Sequence, residues 1–227
     1  NFYSNYFFNR KKQLPYVTGK IAISKNNLIY SKLNKRITNE HSDQFTHLLR
    51  YKNDAIMVSY KTLNKDNSKL NCRVKSFDAY SPKRIILDNK LQTKINNYVI
   101  KTANKDNTII FYNQANKSKV LDFKKKNIQL IRSKVNEQGK FDVKAILKKL
   151  YKYNCRNLLI EGGDSLTSHL LKNRIFNKFY LYKSPKNLSK KTEYLKFNGL
   201  DVLKKNYKYK FNLNLSSGKD KITLYKN

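Results

Sequence analysis

The chain is 227 residues long, 39% hydrophobic and 28% charged, which is enough apolar chain to bury one core, and it fits one domain with at most an appendage. Lysine and arginine total 49 against 15 acidic residues, a formal net charge of +34. Two cysteines (Cys72, Cys155) exclude a disulfide framework and lack the spaced Cys/His partners of a zinc site. No apolar run approaches the roughly 18 residues of a membrane helix, and a reducing, cytoplasmic compartment fits best.

Such a charge normally points to nucleic acid, whose phosphates release counterions to clustered Lys and Arg. The distribution argues otherwise. Lysines number 41 and arginines only 8, the lysines are spread over the whole chain, and Asn is inflated to 30. Lys, Asn, Ile, Tyr and Phe share codons rich in A and T, so genome bias explains the balance. No arginine-rich arm, RNA-binding aromatic signature or zinc finger appears. The field still attracts phosphorylated anions.

Residues 1–13 (NFYSNYFFNRKKQ) are aromatic and basic without clean periodicity and read as a connector, leaving 14–227 as the domain. Tyr16–Ser24 reads as a first strand. Glu40–Tyr51 carries Phe45, Leu48 and Leu49 at helical spacing behind Thr38 as N-cap. Ala55–Ser59 is a short continuous apolar run, expected of a strand buried on both faces. Arg84–Asp88, Asn107–Tyr112 and Asn127–Ile131 resemble it. Asp142–Tyr153 has Val143, Ile146, Leu147 and Leu150 at i, i+3, i+4 and i+7, an amphipathic helix with a lysine face. Asn157–Ile160 is another apolar strand and runs into Glu161-Gly162-Gly163, with a helix over Ser165–Asn173. Phe176–Lys183 reads as a strand. Tyr207–Leu215 and Lys221–Lys226, around Ser216-Ser217-Gly218, read as an antiparallel hairpin. The expected architecture is α/β, a mostly parallel sheet flanked by helices with a C-terminal antiparallel hairpin.

Two places can carry chemistry. At Glu161-Gly162-Gly163-Asp164, two glycines at the end of a buried strand let backbone approach a ligand, and the following helix aims unpaired N–H groups at an anion. A tight turn with nothing bound fits the same residues equally well. The second is Thr62, Asp66, Asn67, Leu70 and Arg73, in a loop after a buried strand, where open α/β sheets bind ligands. Arg50 and Arg73, two of only eight arginines, fall near this loop and offer a bidentate fork for phosphate. The histidines (His41, His47, His169) form no metal or triad pattern, and His41 and His47 are expected on a surface helix.

These pieces, taken in order, resemble the reductase domain of riboflavin biosynthesis, the C-terminal domain of the bifunctional pyrimidine deaminase-reductase. The resemblance runs from Pro15-Tyr16-Val17-Thr18-Gly19-Lys20 to the end. It continues through Ile37-Thr38, Leu48-Leu49-Arg50, Asp54-Ala55-Ile56-Met57-Val58, the Thr62…Arg73 stretch, Pro82-Lys83-Arg84-Ile85-Ile86-Leu87-Asp88 and Glu161-Gly162-Gly163. It implies a dihydrofolate-reductase-like fold and NADPH-dependent reduction of 5-amino-6-(5-phosphoribosylamino)uracil to the ribitylamino product. The family's cofactor positions fall on Ala22, Arg36, Thr62, Asp66, Asn89 and the run Gly163, Asp164, Ser165, Leu166, Thr167, Ser168 and His169. Its substrate positions fall on Asn34, Arg50, Leu70, Arg73 and Glu161. Lys20 and Glu161 are the implied catalytic residues, no metal is implied, and family members pair as homodimers.

The chain departs from the family at Ser24-Lys25-Asn26-Asn27, where Ser-Leu-Asp-Gly is usual, at Arg36, where an aromatic is usual, and at Asp66-Asn67 in place of Asp-Pro. Asn27 is expected to take the left-handed conformation a glycine would supply. The deaminase zinc signature is absent, so a deaminase would lie upstream of Asn1, with 1–13 as the interdomain connector. The alternatives are a diaminopyrimidine or pterin reductase on the same fold, or a basic nucleic-acid-binding domain without enzymatic activity.

Overall fold

The structure, a computed structural model, describes residues 3–34, 36–213 and 219–226. In chain order its elements are α1 (Ser4–Lys12), β1 (Tyr16–Ile23), β2 (Leu28–Ser31), α2 (Glu40–Tyr51), β3 (Ala55–Ser59), α3 (Tyr60–Asp66), a 3-10 turn (Asp78–Tyr80) and β4 (Lys83–Leu87). There follow α4 (Tyr98–Lys101), β5 (Thr108–Tyr112), α5 (Lys117–Lys125), β6 (Gln129–Arg132), α6 (Val143–Lys152) and β7 (Asn157–Ile160). The last are α7 (Asp164–Lys172), β8 (Lys178–Lys183), β9 (Tyr194–Lys196), α8 (Leu200–Asn206), β10 (Tyr209–Leu213) and β11 (Lys221–Lys226). Two compact units share the chain: residues 1–16 with 50–158, and 17–49 with 159–227.

The first unit is a parallel ladder. β3 pairs with β4, β4 with β5 and β5 with β6, all parallel. Ile56, Met57, Ile86, Ile110 and Phe111 are fully buried along it, as strands covered on both faces require. The expected amphipathic helix is α6: Val143, Ile146, Leu147 and Leu150 are all buried, and Asp142 caps it by accepting from Ala145 N at 3.1 Å. Arg84 is a buried guanidinium that donates only to neutral acceptors: Thr108 Oγ1 at 3.0 Å, Thr102 Oγ1 and O at 2.8 Å each, and Asn107 Oδ1 at 2.6 Å. It thereby ties α4 to the start of β5.

Residues 4–12, expected as an irregular connector, are helical. The apolar stripe that periodicity looks for is absent because polar side chains hold the helix. Asn9 is buried and donates to the carbonyls of Leu14 (2.8 Å) and Arg156 (2.9 Å), and Asn5 donates to Asn157 Oδ1 at 2.7 Å. Tyr3, Tyr6 and Phe7 stay exposed.

In the second unit β1 runs parallel to β8, β11 lies antiparallel to β8, and β10 is antiparallel to β11. The expected terminal hairpin strands are present, while Ser216-Ser217-Gly218 lies outside the described residues. Tyr207, expected in its first strand, instead fills the core, its hydroxyl accepting from Phe176 N at 3.2 Å. Gly19 of β1 is set by close approach: a Cβ there would come within 2.3 Å of the Phe179 ring and 2.6 Å of Phe176. A separate antiparallel pair, β2 with β9, carries a register shift between Leu28 and Tyr30. Asn27 before it has φ 62°, the left-handed conformation expected of it.

Candidate functional site

In the first unit the structure gathers Arg50, Leu70 and Arg73. Arg50, near the end of α2, is buried, and its Nη1 donates to the Asn71 carbonyl at 3.2 Å. That bond ties the helix end to the 70–73 segment. Leu70 is buried in the left-handed region, φ 53°, a conformation costing a bulky residue about 1–2 kcal/mol. Strain of this kind persists where surrounding structure enforces it, and it concentrates at functional positions. Arg73 is exposed.

Thr62 stands in the first turn of α3 and Asp66 is its last residue, where a loop was expected. Ser59 starts this helix, its Oγ accepting from Thr62 N at 3.3 Å, and Asn67 ends it with φ 44°. The Asn67 Oδ1 also accepts from Tyr98 N at 2.8 Å, so Asn in place of the family's proline serves as cap and tether. The Asp66 residue is exposed overall, yet crowding at its carboxyl raises the pKa through desolvation, against the pull of Lys65. Asn89 follows β4. Its carbonyl accepts from Asn113 N and Gln114 N at 3.0 and 3.1 Å, and Nδ2 donates to Gly139 O at 3.2 Å. Its Oδ1 is buried without a hydrogen-bond partner.

In the second unit, Glu161-Gly162-Gly163 leads from β7 into α7. Gly163 is the N-cap, with no side-chain cap. At Gly162 a Cβ would lie 3.1 Å from Thr167 Oγ1 and 3.2–3.3 Å from Leu166, so the turn is tight. Asp164, the natural candidate to cap these amides, is turned aside. Its Oδ1 accepts from Asn198 N at 2.7 Å and Ser168 Oγ at 2.9 Å, and its Oδ2 from Asn198 Nδ2 at 2.9 Å. The Thr167 hydroxyl is buried and donates to Gly162 O at 3.3 Å, while Ser165 is exposed. Leu166 and His169 are half-buried.

Lys20 and Ala22 sit on β1 opposite Tyr180 and Tyr182 of β8. The Lys20 Nζ lies 4.8 Å from the centre of the Tyr182 ring. Burial pushes the Tyr182 phenol well above its ordinary pKa; the Thr46 hydroxyl pulls the other way, and the Glu161 carboxylate adds to the rise. Lys20 thus meets the face of the Tyr182 ring, and Glu161 acts on its hydroxyl. Asn34 and Arg36 have local commitments: Asn34 Oδ1 accepts from Ser189 N at 2.9 Å, and Arg36 pairs with the Asp43 carboxylate on α2. His41 is exposed on α2 as expected, whereas His47 is buried. Among the described residues no group of three or more His, Cys, Asp or Glu could hold a metal, and no helix is long and apolar enough to cross a membrane.

Two residues near these groups escaped sequence reasoning. Asn198 is one of 30 asparagines and is far in sequence from Asp164. Tyr182 sits in KFYLYK, indistinguishable from core strand.

Residues 19–216 match the family model of the RibD C-terminal domain. The RibD protein of Actinobacillus pleuropneumoniae is 30% identical over 174 residues, 76% of this chain and 46% of that protein. The 5-amino-6-(5-phosphoribosylamino)uracil reductase of Buchnera aphidicola subsp. Acyrthosiphon pisum is 28% identical over 165 residues, 68% of this chain and 76% of that protein. The chain spans about half the length of the RibD relatives of Actinobacillus pleuropneumoniae and Aquifex aeolicus. The solved structure of Acinetobacter baumannii RibD superimposes with a TM-score of 0.78 at 17% identity, covering 98% of this chain and 60% of that one, and it shares the α/β fold. With the family model matched over most of its length, this chain belongs to the RibD C-terminal domain family.

Proposed function

We propose that this chain catalyses NADPH-dependent reduction of 5-amino-6-(5-phosphoribosylamino)uracil to 5-amino-6-(5-phosphoribitylamino)uracil, in a reducing, cytoplasmic compartment. In this reading 1–13 is the connector to the reductase domain 14–227. A homodimer and an associated deaminase are the partners the family implies. The observation that carries the reading is the family match over residues 19–216.

The residues present fit a dinucleotide. The N-cap of α7 is a glycine, which leaves room for a ligand at the helix start, and the Asp164 carboxylate that would repel a diphosphate is turned onto Asn198 and Ser168. The buried Oδ1 of Asn89 is an acceptor without a partner, suited to a hydroxyl or amino donor of a bound nucleotide. Gly163 to His169, with Thr62, Asp66, Asn89, Ala22 and Arg36, would hold NADPH, which when bound supplies the hydride.

The chain's own residues orient and handle protons. The ribose C1–O4 bond breaks as the amine nitrogen forms a double bond to C1, and O4 takes a proton. The nitrogen keeps its own proton, so the open chain is an iminium, and hydride supplied by bound NADPH at C1 would neutralise it to the ribityl amine, with one proton consumed in all. Lys20 is the donor of the proton that O4 takes. Glu161 accepts a hydrogen bond from substrate or relays a proton, and Arg50 and Arg73 hold the phosphate by charge-assisted hydrogen bonds. Asn34 and Leu70 complete the substrate contacts.

Glu161→Gln tests the assignment. It should fold with an unchanged Tm and lower kcat by about 10²-fold or more, the size of a lost acid–base contribution. A variant that loses much stability but keeps wild-type turnover in its folded fraction makes the carboxylate structural instead.

A further inference from the structure

Tyr182 has no part in the reaction as written, yet Lys20 rests on it. Its backbone is fixed from both sides, with Ala22 of β1 opposite on one flank and Ile222 of β11 on the other. Its side chain is fully buried. Phe45 of α2 packs over it at 6.2 Å between ring centres and meets Tyr180 at 5.7 Å. The ring is therefore a rigid floor. The ammonium of Lys20, on four rotatable bonds, stands 4.8 Å from its centre, inside the roughly 6 Å over which a ring face attracts a cation.

We propose that Tyr182 is a positioning residue, its ring face holding the Lys20 ammonium where the reaction draws its proton. The inference rests on the reading above that Lys20 handles a proton. A Leu or Ile would fill the same core space without burying a hydroxyl; Phe45 packs on this ring, and Thr46, Glu161, Tyr180 and Asp43 act on its hydroxyl. The Lys20 ammonium stands over its ring. The hydroxyl is incidental to this role; the aromatic face is what matters.

The test compares NADPH oxidation by Tyr182→Phe, Tyr182→Met, Lys20→Met and the Lys20→Met/Tyr182→Met pair, resolving kcat from KM. Tyr182→Phe keeps the ring and should stay within about 2-fold of wild type. Tyr182→Met should lower kcat about 5- to 30-fold, the size of a partly buried cation–π contact, with KM for NADPH little changed. In the Lys20→Met background the same substitution should cost nothing further. Equal slowing in both backgrounds means only a packing role and overturns the proposal, as does wild-type kcat in Tyr182→Met. Full turnover in Lys20→Met removes the underlying reading of Lys20 and the proposal with it, an outcome distinct from the other two. Should Tyr182→Met fail to fold, lysine-labelled wild-type protein answers by NMR. The Lys20 ε-methylene, assigned from Lys20→Met, should lie upfield of the other lysines through the ring current; a resonance among theirs overturns the proposal.

Discussion

Arg50, in the last turn of α2, is buried and Arg73, after α3, is exposed, so their variants should separate two effects. Both are proposed to bind the substrate, and replacing either with Ala should raise KM for the phosphorylated substrate about 10- to 150-fold, the worth of a charge-assisted contact of about 1.5–3 kcal/mol, with NADPH affinity unchanged. Arg50 also braces Asn71, so Arg50→Ala should lower Tm as well, whereas the exposed Arg73 should leave Tm alone. Steady-state kinetics beside thermal melts check both, and unchanged KM in both variants removes the assignment. The arginines were legible because they are rare in a lysine-rich chain. The strained backbone of Leu70 and the orphaned Oδ1 of Asn89 were not, since neither a φ angle nor a missing partner leaves a trace in residue type.

Among the elements, α7 carries the sharpest prediction. Asn198 holds the Asp164 carboxylate off the first turn, where a negative charge would otherwise cap the amides. Asn198→Ala removes the Nδ2 bond to Oδ2 while the backbone N–H of residue 198 and the Ser168 hydroxyl keep theirs to Oδ1, so it should loosen the carboxylate and weaken NADPH binding by up to about 5-fold, a helix-terminus charge effect of about 1 kcal/mol. Asp164→Ser should bind NADPH equally or more tightly and should abolish the effect of Asn198→Ala. Gly163→Val should weaken binding by crowding the backbone. Fluorescence titration reads all four, and wild-type affinity in Gly163→Val places the cofactor elsewhere. The helix itself was readable from its spacing and glycines, as were α2, β3 and β7 to the residue. What was missed is short or held by polar contacts. α3 begins on a Ser59 cap and lasts seven residues, β9 has three, and α1 is fastened by Asn5 and Asn9. None of these builds an apolar period long enough to see.

For the whole molecule, buried acids set the response to alkali. Burial, reinforced by the Asp54 carboxylate, pushes the Cys155 thiol up to about 12, and burial pushes the Tyr207 phenol up to about 12. Unfolded chain releases these protons from about pH 9 and 10, while the folded protein keeps them to about 12, so the unfolded state binds fewer protons there and stability falls as pH rises. Tm should therefore be flat through neutral pH and drop between about pH 9 and 12. Cys155→Ala should lessen the drop, and an equal drop in that variant would remove the thiol from the account. The alternation of strands and helices disclosed the fold class of this molecule, because period and burial are written in composition. Its division into two compact units was not readable, since the first unit draws on residues 1–16 and 50–158 and the second on 17–49 and 159–227, and residues distant in sequence leave no local pattern.

In the proposed reaction hydride reaches C1 of the phosphoribosylamino sugar. NADPH carrying deuterium at the transferred C4 position, incubated with the protein and 5-amino-6-(5-phosphoribosylamino)uracil, should give a ribitylamino product with one deuterium, located by NMR at C1 of the open chain. The diamino precursor run in parallel shows which pyrimidine is preferred. Deuterium in the pyrimidine ring, or no oxidation of NADPH with either compound, would contradict the account.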